Sequence, residues 1–201
     1  SYGILEVDRE SGERNERDYI AGFVASLLAQ ELPPSCALEL LIADGQSDDG
    51  TREILDGLAA RNPTLTIVPN PGRIVSKGLN AAIRAATGVV IVRMDAHTTY
   101  APDYVRACVE TLDRTGADNV GGPWRAAGES GLQQAIAQVS HSPFASGGGR
   151  SHDLDYEGPV DTVYLGCWRK EIFERVGLFD EELVRNQDDE LNLRIERAGG
   201  R

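Results

Sequence analysis

The chain has 201 residues, 41% of them hydrophobic and 26% charged, with a formal net charge of −12. That balance fits one globular domain able to bury a core, and it excludes a disordered chain or one that grips nucleic acid through a basic face. No apolar run approaches the roughly 18 residues of a membrane span, and the opening Ser1-Tyr-Gly-Ile-Leu-Glu-Val-Asp8 lacks the basic flank and apolar block expected of a signal peptide.

The first helical signal is Ile20, Phe23, Val24, Leu27 and Leu28, one apolar face at helical spacing, with Asn15 as its cap and Pro33-Pro34 barring its continuation. Glu39-Leu-Leu-Ile-Ala43 reads as a short buried strand. Thr51 to Arg61 follows as a helix with Ile54, Leu55 and Leu58 on one face, and Thr64-Leu-Thr-Ile-Val68 as the next strand. A helix from about Ser76 to Ala86 turns Leu79, Ala82 and Ile83 inward. The strand Gly88-Val-Val-Ile-Val92 leads from it to Asp95, and Pro102 suits the first turn of a helix through Leu112. This alternation predicts a mostly parallel α/β sheet of Rossmann-like type with helices on both faces. Ligands of such sheets sit beyond the carboxyl ends of the strands, so Asp44 and Asp95 are expected to face one crevice.

After Gly121 the pattern loosens. Ser142-Pro-Phe-Ala-Ser-Gly-Gly-Gly-Arg150 is turn-rich, Ser151 to Pro159 is polar, and the segment 142–159 is expected beside a bound substrate or as a closing lid. No internal repeat and no second domain is evident. The chain stops at Gly199-Gly-Arg201 directly after a helical stretch, so residues 1–201 are expected to be a single domain cut short at its C-terminus. Cys36, Cys108 and Cys167 are odd in number and widely spaced, which fits reduced core thiols of a cytoplasmic protein better than a disulfide or zinc framework.

Three clusters carry polar chemistry. Asp44-Gly-Gln-Ser-Asp-Asp-Gly-Thr51 has glycines for a tight turn and several capping residues, so by itself it is as much a strand-turn-helix junction as a site. Its three acids exceed what a cap needs, and Asp44 at the strand end can accept hydrogen bonds from a base or ribose. Asp95-Ala-His97 sets a carboxylate and an imidazole at i and i+2, on one side of an extended chain. Such a pair suits Mn²⁺ or Mg²⁺ completed by substrate phosphates, although a lone Asp-x-His is more often a strand-end cap beside a surface histidine. Arg93, set in an otherwise apolar strand, is expected to meet an acidic neighbour or a phosphate. Asp188, Asp189 and Glu190 open a helix marked by Leu191 and Ile195; they serve either the helix dipole or, for one carboxylate, general-base catalysis. With so acidic a chain, an anionic substrate requires a metal or local Arg and Lys to offset the field.

Taken together and in this order, the clusters resemble a family 2 glycosyltransferase of the GT-A fold. Asp44, Gly45, Ser47, Asp49, Gly50 and Thr51 match that family's D-G-x-S-x-D-G-T run. Asn80, Ile83, Ala86 and Gly88 match its N-x-G-I-x-x-A-x-G helix, with Ala82 in place of the usual Gly. Asp95-Ala-His97 stands at its D-x-D motif, with Pro102-Asp-Tyr-Val105 after it. Gly166 with Arg169 matches G-x-x-x-R/K, Gly177-Leu-Phe-Asp180 matches G-x-F-D/N, and Gln187, Asp188, Glu190, Leu191 and Arg194 match E-D-x-D/E-L-x-x-R. The M-D-A-H and N-Q-D-D-E-L-N variants are most similar to the bacterial succinoglycan-biosynthesis branch, and the resemblance runs over roughly residues 14 to 198.

The resemblance implies a metal-dependent, inverting sugar transfer from a nucleotide-sugar, a UDP-sugar first, to a saccharide or lipid-linked saccharide of the exopolysaccharide kind. Asn15, Glu16, Asp44, Ser47, Asn80, Arg93 and Asp95 would bind the donor; Asp95 and His97 would hold Mn²⁺ or Mg²⁺; Asp188 would be the catalytic base. The expected location is the cytoplasm at the inner face of the plasma membrane, with peripheral association through the missing C-terminal part. The family opens on an apolar strand where this chain has Val7-Asp-Arg-Glu-Ser-Gly-Glu13, and His97 and Gln187 stand where Asp and Glu are commoner. A nucleotidyltransferase shares the sheet type, but its Gly-rich basic loop is missing from the acidic stretch Val7 to Glu13; a non-catalytic nucleotide-sugar-binding domain is the third reading.

Overall fold

A computed structural model describes residues 2–7, 16–34, 36–123 and 156–201. The sequence expectations for Asn15 and for most of the segment 142–159 lie outside the described residues. The elements in chain order are β1 (Tyr2–Val7), a 3₁₀ turn (Glu16–Asp18), α1 (Ile20–Leu28), β2 (Leu38–Asp44), α2 (Thr51–Ala59) and β3 (Leu65–Pro69). They continue as α3 (Val75–Ala85), β4 (Val90–Arg93), α4 (Tyr104–Thr115), β5 (Asn119–Val120), β6 (Cys167–Arg169), α5 (Ile172–Val176) and α6 (Gln187–Arg197).

Six strands form one sheet in the order β3-β2-β1-β4-β6-β5. The pairs β1/β2, β2/β3 and β1/β4 are parallel, while β6 runs antiparallel to both β4 and β5. The mostly parallel sheet expected from the βα rhythm is therefore present, with an antiparallel addition on one side. The open question of the first strand is answered by Tyr2–Val7, which lies upstream of the polar stretch and sits between β2 and β4.

Side chains alternate between two cores because successive strand residues point to opposite faces. Leu40, Ile42, Val90 and Val92 join Phe23, Val24, Leu27, Leu55, Val109 and Leu112 on the face covered by α1, α2 and α4. Leu41, Ala43 and Ile91 join Leu79, Ala82, Ile83, Trp168, Phe179, Leu191 and Ile195 on the face covered by α3, α5 and α6. Strands buried on both faces read as unbroken apolar runs, which is how β2 and β4 read. The same alternation sends Asp44 toward α2 and Arg93 toward α6.

Cys108 and Cys167 are buried in this interior, and Cys36 is only partly buried, so the reading of all three as core thiols holds for two. Burial pushes the Cys108 thiol up to about 11, and burial likewise holds Cys167 well above its ordinary range.

Candidate active site

The parallel strands β2 and β4 both end on the same edge of the sheet, on either side of β1. Asp44 is the last residue of β2, and Asp95 lies two residues beyond β4. With two strand spacings between them, their backbones are roughly 10 Å apart. Asp44 is 1% exposed, and its two oxygens have different partners. Oδ1 accepts the Ser47 amide at 3.1 Å, and Oδ2 accepts Arg52 Nη1 at 2.9 Å. Burial works against its charge, but the bonds from Ser47 and Arg52 outweigh burial and hold its pKa below the ordinary 3.8.

The loop after β2 is tight. Gln46 has φ 65° and Gly50, the N-cap of α2, φ 102°, and Thr51 N–H donates to Asp49 Oδ1 at 3.0 Å across that glycine. The loop after β3 packs beside it: Asn70 N–H donates to the Asp44 carbonyl at 2.9 Å, and Arg73 places Nε and Nη2 on Gln46 Oε1 at 3.3 and 3.1 Å. The Arg17 side chain lies against Gly50. Arg17, Arg52 and Arg73 thus gather around the loop after β2 in an otherwise acidic chain, a local supply of the positive charge that an anionic ligand requires.

Beyond β4 the chain turns. Asp95 Oδ1 accepts the His97 amide at 2.9 Å and Thr98 N–H donates to the Asp95 carbonyl at 3.1 Å, the self-bonded turn that aspartate favours. The extended geometry expected for Asp95-Ala-His97 is therefore corrected. The His97 imidazole meets Glu16, Nε2 to Oε1 at 2.6 Å, and its ring centroid lies 6.2 Å from that of Tyr19 in a tilted, edge-on arrangement. Asp95 is also fixed through its amide, which donates to Tyr100 Oη at 2.7 Å. Among the described residues no three His, Cys, Asp or Glu side chains converge on one point. The donor chemistry of Asp95 and His97, carboxylate oxygen plus imidazole nitrogen, fits an open Mn²⁺ or Mg²⁺ site completed by phosphate oxygens.

Asp188, in the first turn of α6, reaches the same edge. Its Oδ1 pairs with Arg93 Nη1, and its Oδ2 accepts the Leu165 amide at 3.3 Å. The expectation that Arg93 meets an acid is met by this contact, 95 residues along the chain.

Asn80, expected to bind the donor, is engaged elsewhere. Its Oδ1 accepts Phe179 N–H at 2.9 Å, while its Nδ2 donates to the Phe179 carbonyl at 2.8 Å and to Glu181 Oε1 at 3.0 Å. At 1% exposure its amide is a brace for the turn Gly177–Asp180 rather than a lining of the crevice. Arg194 braces that turn from the other side, donating to the Val176 and Leu178 carbonyls and to Glu190. Asp44, Ser47, Glu16, Arg93, Asp95, His97 and Asp188 are brought together along the carboxyl edge. Arg52, Arg73, Gln46 and the Leu165 amide stand among them without having been foreseen, since only Arg52, eight residues from Asp44, lies close enough in sequence to signal its partner.

A family model described as Glycosyl transferase family 2 matches residues 14–177. The succinoglycan biosynthesis protein ExoA of Rhizobium meliloti (strain 1021) is 34% identical over 189 residues, 93% of this chain and 57% of the relative. ExoM of the same organism is 29% identical over 111 residues, covering 55% of this chain and 36% of ExoM. The chain thus spans little more than half the length of ExoA. Among solved structures, the Pyrobaculum calidifontis mannosyltransferase PcManGT, in complex with GDP-Man and Mn²⁺, aligns with a TM-score of 0.68 at 20% identity, over 98% of this chain and 51% of that one. S. aureus TarS residues 1–349, in complex with UDP-GlcNAc, aligns with a TM-score of 0.66 at 16% identity, over 96% and 52%. These likenesses establish a glycosyltransferase GT-A fold.

Proposed function

Since the chain belongs to glycosyl transferase family 2, we propose that it moves a sugar from a nucleotide-sugar, a UDP-sugar first, to a saccharide or lipid-linked saccharide hydroxyl, with inversion at the anomeric carbon. One observation carries this reading: Asp188 is held against the end of the strand that leads to Asp95, so a base and a phosphate-side acid share one edge. The GDP-Man and Mn²⁺ of one structural neighbour and the UDP-GlcNAc of another support a nucleotide-sugar donor. The succinoglycan name of the relative supports an exopolysaccharide acceptor, met at the inner face of the plasma membrane.

In this reaction the acceptor oxygen attacks the anomeric carbon from the face opposite the diphosphate. The bond from that carbon to the phosphate oxygen breaks, its electron pair stays on the diphosphate, and the hydroxyl proton passes to Asp188. Asp95 and His97 would hold a divalent cation, which would supply positive charge to offset that of the leaving diphosphate. Asp44 and Ser47 fix the turn against which the base and ribose rest, and Arg52 and Arg73 lend it positive charge.

The test is UDP or GDP release over a panel of nucleotide-sugars, with Mn²⁺ and then with EDTA, in the presence of saccharide acceptors. Metal-dependent release from one donor class supports the proposal. Release from none of them, alongside unimpaired nucleotide binding, would leave a binding domain instead.

A further inference from the structure

Arg93 belongs to neither core. It ends a four-residue strand whose other members are fully apolar, and its side chain is 7% exposed. A guanidinium is always protonated and costly to bury unless paired, so its partners are a structural choice. The first partner is Asp188, whose side chain is 16% exposed and which reaches Arg93 across the mouth of the sheet. The second is the ring of Phe179, 5.9 Å from the guanidinium carbon, close enough for a cation–π contact.

The backbone closes a ring around this pair. Arg93 N–H donates to the Gly166 carbonyl at 2.9 Å, and the preceding residue, Leu165, donates its amide to the other oxygen of Asp188 at 3.3 Å. Leu165 and Gly166 have φ values of 65° and 103°, two successive left-handed residues that turn one peptide toward β4 and the other toward α6. A Cβ on Gly166 would lie 2.3 Å from the Trp168 ring, so this turn admits only glycine there. Asp188 is consequently held on one oxygen by a side chain at the end of β4 and on the other by a backbone amide two residues before β6.

Bonded on both oxygens, the Asp188 carboxylate is held in one orientation at the edge where the acceptor hydroxyl would arrive. We propose that Arg93 is the positioning residue for the base Asp188, acting on that carboxylate and not on the phosphates of the donor. The proposal rests on Asp188 being the base of the transfer described above.

The experiment uses Arg93→Met, Arg93→Lys and both Asp188→Asn and the Arg93→Met/Asp188→Asn pair, with the donor that the wild type accepts. UDP affinity is read by calorimetry with Mn²⁺, and kcat and KM for the donor by UDP release. Arg93→Met is expected to lower kcat by about 100-fold, the scale of a misplaced catalytic group, with UDP affinity and donor KM within about threefold. Arg93→Lys restores part of kcat, since it keeps the charge and loses the fork. In the Asp188→Asn background, Arg93→Met adds less than about threefold, because residues acting as one unit are not additive. The double variant carries no unpaired charge, so it controls for folding, read as a cooperative thermal transition. A tenfold loss of UDP affinity with kcat retained, or kcat effects that multiply in the double variant, would overturn the proposal and make Arg93 a phosphate ligand. A wild type that transfers from no donor strikes the function instead, and an Asp188→Asn variant with full turnover strikes the base.

Discussion

Asp44 keeps its charge in a place that almost no solvent reaches. The Ser47 amide and Arg52 hold the carboxylate against the penalty of burial, which sets the sign of its pH dependence. Its folded pKa lies below the unfolded value of about 3.9, so the stability it contributes is fully present above that value and is lost as pH falls through the folded pKa. Asp44→Asn is therefore expected to cost about 1–2 kcal/mol at pH 6, the scale of a charge-assisted hydrogen bond with one partly exposed partner. The gap to the wild type should narrow in urea melts near pH 3; a gap independent of pH would mean that packing, and not charge, is what Asp44 supplies. Asp188 carries the complementary expectation for activity. Asp188→Asn keeps the shape and removes the proton acceptor, so transfer should fall by about 10²–10⁴-fold while calorimetry returns nucleotide affinity close to that of the wild type.

Between residues and the whole lies the turn Gly177–Asp180, which follows α5 and is gripped from both α3 and α6. Asn80 grips it from α3 through both polar atoms of Phe179, and Arg194 grips it from α6 through two carbonyls, so the helix that carries Asp188 is tied to the helix under β2. Asn80→Ala leaves a buried N–H and a buried carbonyl without these partners, and should cost about 2–4 kcal/mol in denaturant melts. Hydrogen exchange should quicken first at the Phe179 amide and the first turns of α6; protection lost evenly across the sheet would argue against a local brace. Much of this level was legible in the sequence. The amphipathic helices α1 and α3 and the apolar strands β2 and β4 appear close to their expected bounds, because burial of one face or of both leaves a periodic signature. β5 and β6, with two and three residues, are too short to carry a period, and β1 holds Gly3 and Glu6 within its six. Asp95-Ala-His97 shows the other limit: the spacing implied an extended pair, whereas the chain turns there and the imidazole is bonded to Glu16, far off in sequence.

At the scale of the molecule, topology gathers the chemistry. Residues from Glu16 to Asp188 meet at one edge because β1, β2 and β4 run parallel and release their chains in the same direction. None of the described helices is long and apolar enough to cross a membrane. A ligand bound at this edge touches segments of the chain that separate only on unfolding, so it stabilises the fold by mass action. At about 100 times its Kd, a ligand that binds only the native state adds about 2.7 kcal/mol. For a domain of this length that shift corresponds to about 5–10 °C in Tm. UDP with Mn²⁺ should therefore raise the melting temperature by that amount, and EDTA should return most of the gain. In Asp95→Ala, UDP should give the same smaller shift with and without Mn²⁺, since the metal ligand proposed at the sheet edge is gone. If Mn²⁺ still enhanced the UDP shift in that variant, the cation would have to be held elsewhere, and the carboxyl edge of β4 would lose its place in the site.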